Sequence, residues 1–180
     1  MPGLVVLRPA DANETVWAWK YALERRDGPT ALVLTRQKAP VLDQKEFASA
    51  SGLLRGAYVL TGAGSRGVIL LASGSEVHLA VAAHRRLNEM GIASRVVSMP
   101  SWELFEAESA GYRDSVLPAG VTARVAIEAG VPLRWERYLG PRGVFVGMRS
   151  FGASAPSDVL FRNYGMTVET IVQAAQQVIS

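Results

Sequence analysis

The sequence predicts an α/β protein. A three-layer α/β/α domain with a mixed, mostly parallel five-stranded sheet spans residues 58–180, preceded by a βαβ remnant of a second α/β domain within residues 1–46. Three observations predict it. Short apolar runs rich in Val, Ile and Leu alternate with segments of helical period along nearly the whole chain, the pattern of parallel strands covered on both faces. Gly and Pro punctuate each change of period. Residues 37–57, with Pro40, Gly52 and Gly56 among mixed charges, lose periodicity altogether and mark the connection between the two units.

The elements follow in order. Leu4-Val5-Val6-Leu7 is a buried strand stopped by Arg8-Pro9-Ala10. Asp11 caps a helix with Glu14 three residues on, the acidic relative of a capping box, and Val16, Trp17, Tyr21 and Leu23 ride it to Asp27-Gly28-Pro29. Thr30–Thr35 is a second apolar run, parallel to the first. One βαβ unit does not bury both faces of its sheet, so the N-terminal end reads as a cut edge of a larger domain.

Beyond the connection, Tyr58–Leu60 and Val68–Leu71 flank turn residues and read as a hairpin with a longer loop. Ser73-Gly74-Ser75-Glu76 opens a helix that runs to Met90 and stops at Gly91. Strands follow at Ala93–Met99, Thr122–Ile127 and Val144–Met148. Between them lie short helical material over 101–116 and 131–139, and an amphipathic helix over Thr167–Ile179 closes the chain.

Composition narrows the function. With 49% hydrophobic and 19% charged residues over 180, the chain is globular rather than disordered. The net charge of +3 is spread along the sequence without a basic stripe, which argues against a nucleic-acid partner. Cysteine is absent, and with it disulfides, thiolate metal sites and thiol nucleophiles. No leader and no apolar run of about 18 residues is visible, so a cytoplasmic protein without membrane partners is expected.

Several motifs compete for a chemical reading. Gly62-Ala63-Gly64-Ser65-Arg66-Gly67 has the spacing of a dinucleotide fingerprint, but a strand rather than a helix follows it, so it is read as a turn. Ser73-Gly74-Ser75-Glu76 sits where a strand hands over to a helix. Its amides suit an anion, yet Ser75 also suits an N-cap, and the charge of Glu76 opposes phosphate. His78 and His84 are six apart on one helix, a poor metal spacing, and are expected to face solvent. Glu128 ends a strand at the sheet edge where active-site carboxylates sit, but it also fits a carboxylate that accepts backbone amides of the next segment. Asn13-Glu14-Thr15 fits a glycosylation sequon, without meaning in a cytoplasmic chain. Arg36 follows the strand Thr30–Thr35 at its carboxyl end, the ligand edge of a parallel sheet, and its guanidinium suits bidentate phosphate contact. Residue chemistry alone leaves it a surface or ion-pair arginine.

Leu7-Arg8-Pro9-Ala10-Asp11-Ala12-Asn13-Glu14 and Leu34-Thr35-Arg36-Gln37, one crossover later, resemble the transketolase family. So do, in order, Leu71-Ala72-Ser73-Gly74-Ser75-Glu76-Val77, Arg95-Val96-Val97-Ser98-Met99-Pro100, Tyr112–Pro118, Phe151-Gly152-Ala153-Ser154 and Gly165-Met166-Thr167. The resemblance implies ketol transfer between sugar phosphates with thiamine diphosphate and a divalent metal, Mg or Ca, in sites shared by a homodimer. It further implies that residues 1–46 match the end of the pyrimidine-binding domain and 58–180 the C-terminal domain. The family's Gly-Asp-Gly metal motif, catalytic glutamate, stacking aromatic and substrate histidines have no match here. A fragment that binds no cofactor by itself, acting with the rest of a transketolase chain, is therefore expected. Arg36 matches the family's substrate-phosphate arginine. The alternative is a stand-alone α/β module for a small anion or nucleotide.

Overall fold

A computed structural model of the chain describes residues 2–62 and 67–180, so Ala63-Gly64-Ser65-Arg66 of the glycine-rich motif lie outside the described residues. The first unit is β1 (Val5–Leu7), α1 (Ala12–Glu24) and β2 (Thr30–Leu32), the two strands parallel with Val5 opposite Thr30. Asp11 caps α1 by accepting the Glu14 amide at 2.9 Å. Glu14 reaches back one residue further than a capping box would, to the Ala10 amide at 2.7 Å. The small core of Val5, Leu7 and Ala18 is completed by Leu53, from a 3-10 helix over Ala50–Arg55. The stretch read as a plain connection thus packs on both sides, since Phe47 enters the larger core beyond it.

The second unit holds β3 (Tyr58–Thr61), β4 (Val68–Ala72), β5 (Ser94–Ser98), β6 (Arg124–Glu128) and β7 (Val144–Gly147), ordered β3-β5-β4-β6-β7. All neighbours are parallel except β3 against β5. The expected hairpin is absent: β5 lies between β3 and β4. The cause is visible in Val68-Ile69-Leu70-Leu71-Ala72, buried at every position, a central strand that needs a parallel neighbour on each side.

Two helical layers cover this sheet. On one face Leu70, Val96, Val125 and Ile127 pack against α2 (Val77–Glu89) and α7 (Val168–Ile179). On the other, Ile69, Leu71, Val97 and Ala126 meet Phe105 of α3 (Trp102–Ala107), Val116 of α4 (Ala110–Val116), and Trp135 with Tyr138 at α5 (Glu136–Leu139). A further short helix, α6 (Ser157–Asn163), was not foreseen; seven residues with no fully buried side chain carry little periodic signal. No described helix is long and apolar enough to cross a membrane.

Both histidines depart from the expected exposure. His84 is 8% exposed, because positions 77, 80, 84 and 87 form the inward stripe of α2. Its Nδ1 lies 2.7 Å from Ser94 Oγ, and Asn88 donates to its Nε2 at 3.1 Å, which fixes the neutral tautomer with the proton on Nδ1. His78 is half-buried and 3.2 Å from the Ala10 carbonyl. Burial, reinforced by Arg85, lowers the pKa of His84 from its ordinary 6.5. Below that value the unfolded chain binds a proton that the native state refuses, so stability falls as pH drops. Urea midpoints should therefore decline from neutral to mildly acidic pH more in the wild type than in His84→Gln, which has no proton to gain.

Candidate functional site

The carboxyl ends of β2, β4 and β6 converge on one side of the molecule. A cleft of about 590 Å³ opens there between the segment after β2, with Arg36, Gln37 and Lys38, and the turn after β4, with Gly74, Ser75 and His78. Asp158 and Phe161 of α6 close its far side. Arg36 is exposed, and its guanidinium has no hydrogen-bond or ion-pair partner among the described residues. Its loop is held from behind: the Asp11 carboxylate accepts the Leu42 amide at 2.8 Å, and the Asn13 side chain donates to the Leu42 carbonyl at 2.9 Å. A cation presented on an anchored loop beside a cleft suits a multiply charged anion.

Arg8 fills the neighbouring crevice, between the ends of β4 and β6. Its guanidinium donates to Ser73 Oγ at 3.0 Å, to Glu76 at 3.1 Å and to Glu128. Glu76, 1% exposed, also accepts the Ala129 amide at 3.3 Å and the Ser75 hydroxyl at 2.6 Å. The second oxygen of Glu128 takes the indole N–H of fully buried Trp135. The backbone joins in, for Arg8 donates to the Pro100 carbonyl and accepts the Gly74 amide, both at 2.9 Å. Gly74 has φ +60°, and a Cβ there would crowd the guanidinium at 3.3 Å.

Three readings change accordingly. Ser75 makes no cap, because its hydroxyl is committed to Glu76. Glu128 binds Arg8 and Trp135 rather than the amides of the following segment. The Gly74 amide, offered by the sequence to an anion, is satisfied within the chain and sits beside a carboxylate. Arg8 itself was missed as a site residue. The available signal was its place directly after β1, at the ligand edge of a parallel pair.

Glu14 ties the units a second time. Buried, its carboxylate accepts from Tyr58 Oη at 2.8 Å, Ser98 Oγ at 2.6 Å and the Ala10 amide at 2.7 Å. Burial raises its pKa above the ordinary 4.5, against the pull of those three donors. Burial likewise pushes the Tyr58 phenol far up, with Glu14 adding to it.

Among the described residues no three His, Cys, Asp or Glu side chains gather to hold a metal, and Glu76 and Glu128 share the Arg8 guanidinium as their cation.

Residues 56–167 match the transketolase-like TK C-terminal domain, and residues 1–41 match the transketolase pyrimidine binding domain. The chain is 53% identical over 177 residues to the transketolase of Halalkalibacterium halodurans, covering 98% of this chain and 27% of that protein. The solved transketolase of Leishmania mexicana superposes with a TM-score of 0.91 at 43% identity, over 99% of this chain and 25% of that one. That of Pichia stipitis in complex with sedoheptulose-7-phosphate superposes at 0.89 with 37% identity, over the same shares. The chain thus spans about a quarter of the length of the relatives it matches. It belongs to the transketolase family, as a pyrimidine-binding-domain segment followed by the family's C-terminal domain.

Proposed function

We propose that this chain is the substrate-phosphate-binding and subunit-packing part of a cytoplasmic, homodimeric transketolase, and that alone it is inactive. Arg36 carries the reading: a guanidinium without a partner among the described residues, beside an open cleft and on a loop pinned at Leu42. Its planar fork suits two phosphate oxygens at once and holds the sugar by the end remote from the reacting carbons. The sugar phosphate bound in the Pichia stipitis enzyme supports the substrate class. Thiamine diphosphate with Mg or Ca, when bound in the complete enzyme, supplies the ketol-transfer chemistry. This chain orients the substrate. The small-anion module reading loses its main support, since the Gly74 amide is already taken by Arg8 and Glu76 opposes an anion.

The test compares this purified chain with a complete transketolase containing it, using a phosphorylated ketose donor with and without thiamine diphosphate. Cofactor-dependent turnover is expected from the complete protein and none from the chain. Turnover by the chain free of full-length enzyme overturns the proposal.

A further inference from the structure

We propose that the crevice between the carboxyl ends of β4 and β6 is a guanidinium-binding site, whose resident ligand is the Arg8 side chain of the first unit. In the order β3-β5-β4-β6-β7, the connection from β4 runs back to β5 through α2 on one face and that from β6 runs out to β7 through α5 on the other, so the β4/β6 boundary is the topological switch point at which open α/β sheets take ligands. Here that position is lined for a planar cation. Ser73, Glu76 and Glu128 receive hydrogen bonds from both terminal nitrogens of one guanidinium. Each carboxylate is held by further donors: Ala129 and Ser75 for Glu76, Trp135 for Glu128. The acceptors are therefore fixed before the cation arrives. Glu76 and Glu128 lie behind Arg8 with side-chain exposures of 1% and 14%, so removing the guanidinium takes from both carboxylates the cation they share.

An ammonium does not replace this ligand. Arg8 spreads its donors over a plane and meets three acceptors in different directions, whereas a lysine brings one compact charge on a flexible stem of shorter reach. The same contact joins the first unit to the second, next to the loop carrying Arg36. Arg8 is thus a positioning residue for that loop, a corollary that rests on the function proposed above; the binding site itself does not.

The experiment uses Arg8→Ala in this chain, titrated with millimolar methylguanidine and, in parallel, methylammonium. Heat of binding is read by calorimetry, and cleavage within 36–49 by limited proteolysis. Arg8→Ala should be cut about tenfold faster than the wild type or more. Methylguanidine should bind with one-to-one stoichiometry and slow the cut, methylammonium should do neither, and Arg8→Lys should stay as labile as Arg8→Ala. Adding Glu76→Gln with Glu128→Gln should abolish the methylguanidine response. If Arg8→Ala is recovered unfolded, refolding yield in the two cations gives the same contrast. Unchanged cleavage, failure of methylguanidine to bind or equal effects of both cations overturn the proposal.

Discussion

Glu14→Ala should lower folding stability by about 3 to 4 kcal/mol, while Glu14→Gln should lose no more than about 1 kcal/mol. The alanine removes the acceptor of three buried donors at once: the Tyr58 and Ser98 hydroxyls and the Ala10 amide. Each orphaned buried group costs about 1 to 3 kcal/mol, discounted here because the two hydroxyls can turn toward each other. Glutamine keeps a carbonyl oxygen for the Ala10 amide, and both hydroxyls reverse to accept from its NH₂. Its pH response differs as well. Because burial raises the Glu14 pKa, the native state keeps a proton that the unfolded chain releases above 4.5. The wild type's advantage at this site is therefore full at low pH and shrinks as pH rises through the raised value. Urea unfolding of the three proteins at mildly acidic and mildly alkaline pH checks both statements. Equal losses for alanine and glutamine would show that Glu14 contributes through its charge and not through its hydrogen bonds.

Local sequence carries much of this architecture, and its silences have physical causes. The apolar run Val68–Ala72 marks a central strand, and Asp11 marks the start of α1, because burial and capping act over a few residues. Strand order does not act that way. Nothing in Tyr58–Thr61 says that its partner is Ser94–Ser98 rather than the nearer Val68–Ala72, so the hairpin reading failed where a non-local pairing decided the outcome. His84 was misplaced because its residue type outweighed its position on the inward stripe of α2. The site divides likewise. Arg36 was singled out by its match to the family's Thr-Arg-Gln segment, residue chemistry alone leaving it a surface arginine, and the structure sets it beside the cleft. The cluster around Arg8 was not legible, since its partners lie 65, 68 and 120 residues away and meet only in the folded chain.

Arg36→Ala in the complete enzyme should cut kcat/KM for a phosphorylated ketose donor roughly a hundredfold, equivalent to about 2 to 3 kcal/mol of transition-state binding. The loop carrying Arg36 stays anchored through Leu42 and β2 in this variant, and no partner among the described residues is orphaned, so folding stability should be unchanged. What is lost is a charge-assisted contact to a group remote from the reacting carbons. A donor that lacks the phosphate never had that contact and should be processed at nearly the wild-type rate. The decisive quantity is thus the ratio of kcat/KM for phosphorylated over unphosphorylated ketol donors, measured in the wild type and in Arg36→Ala. A roughly hundredfold collapse of that ratio, with turnover of the unphosphorylated donor preserved, is the predicted result; an unchanged ratio, with both donors losing equally, would contradict a phosphate-binding Arg36 and leave it a structural residue.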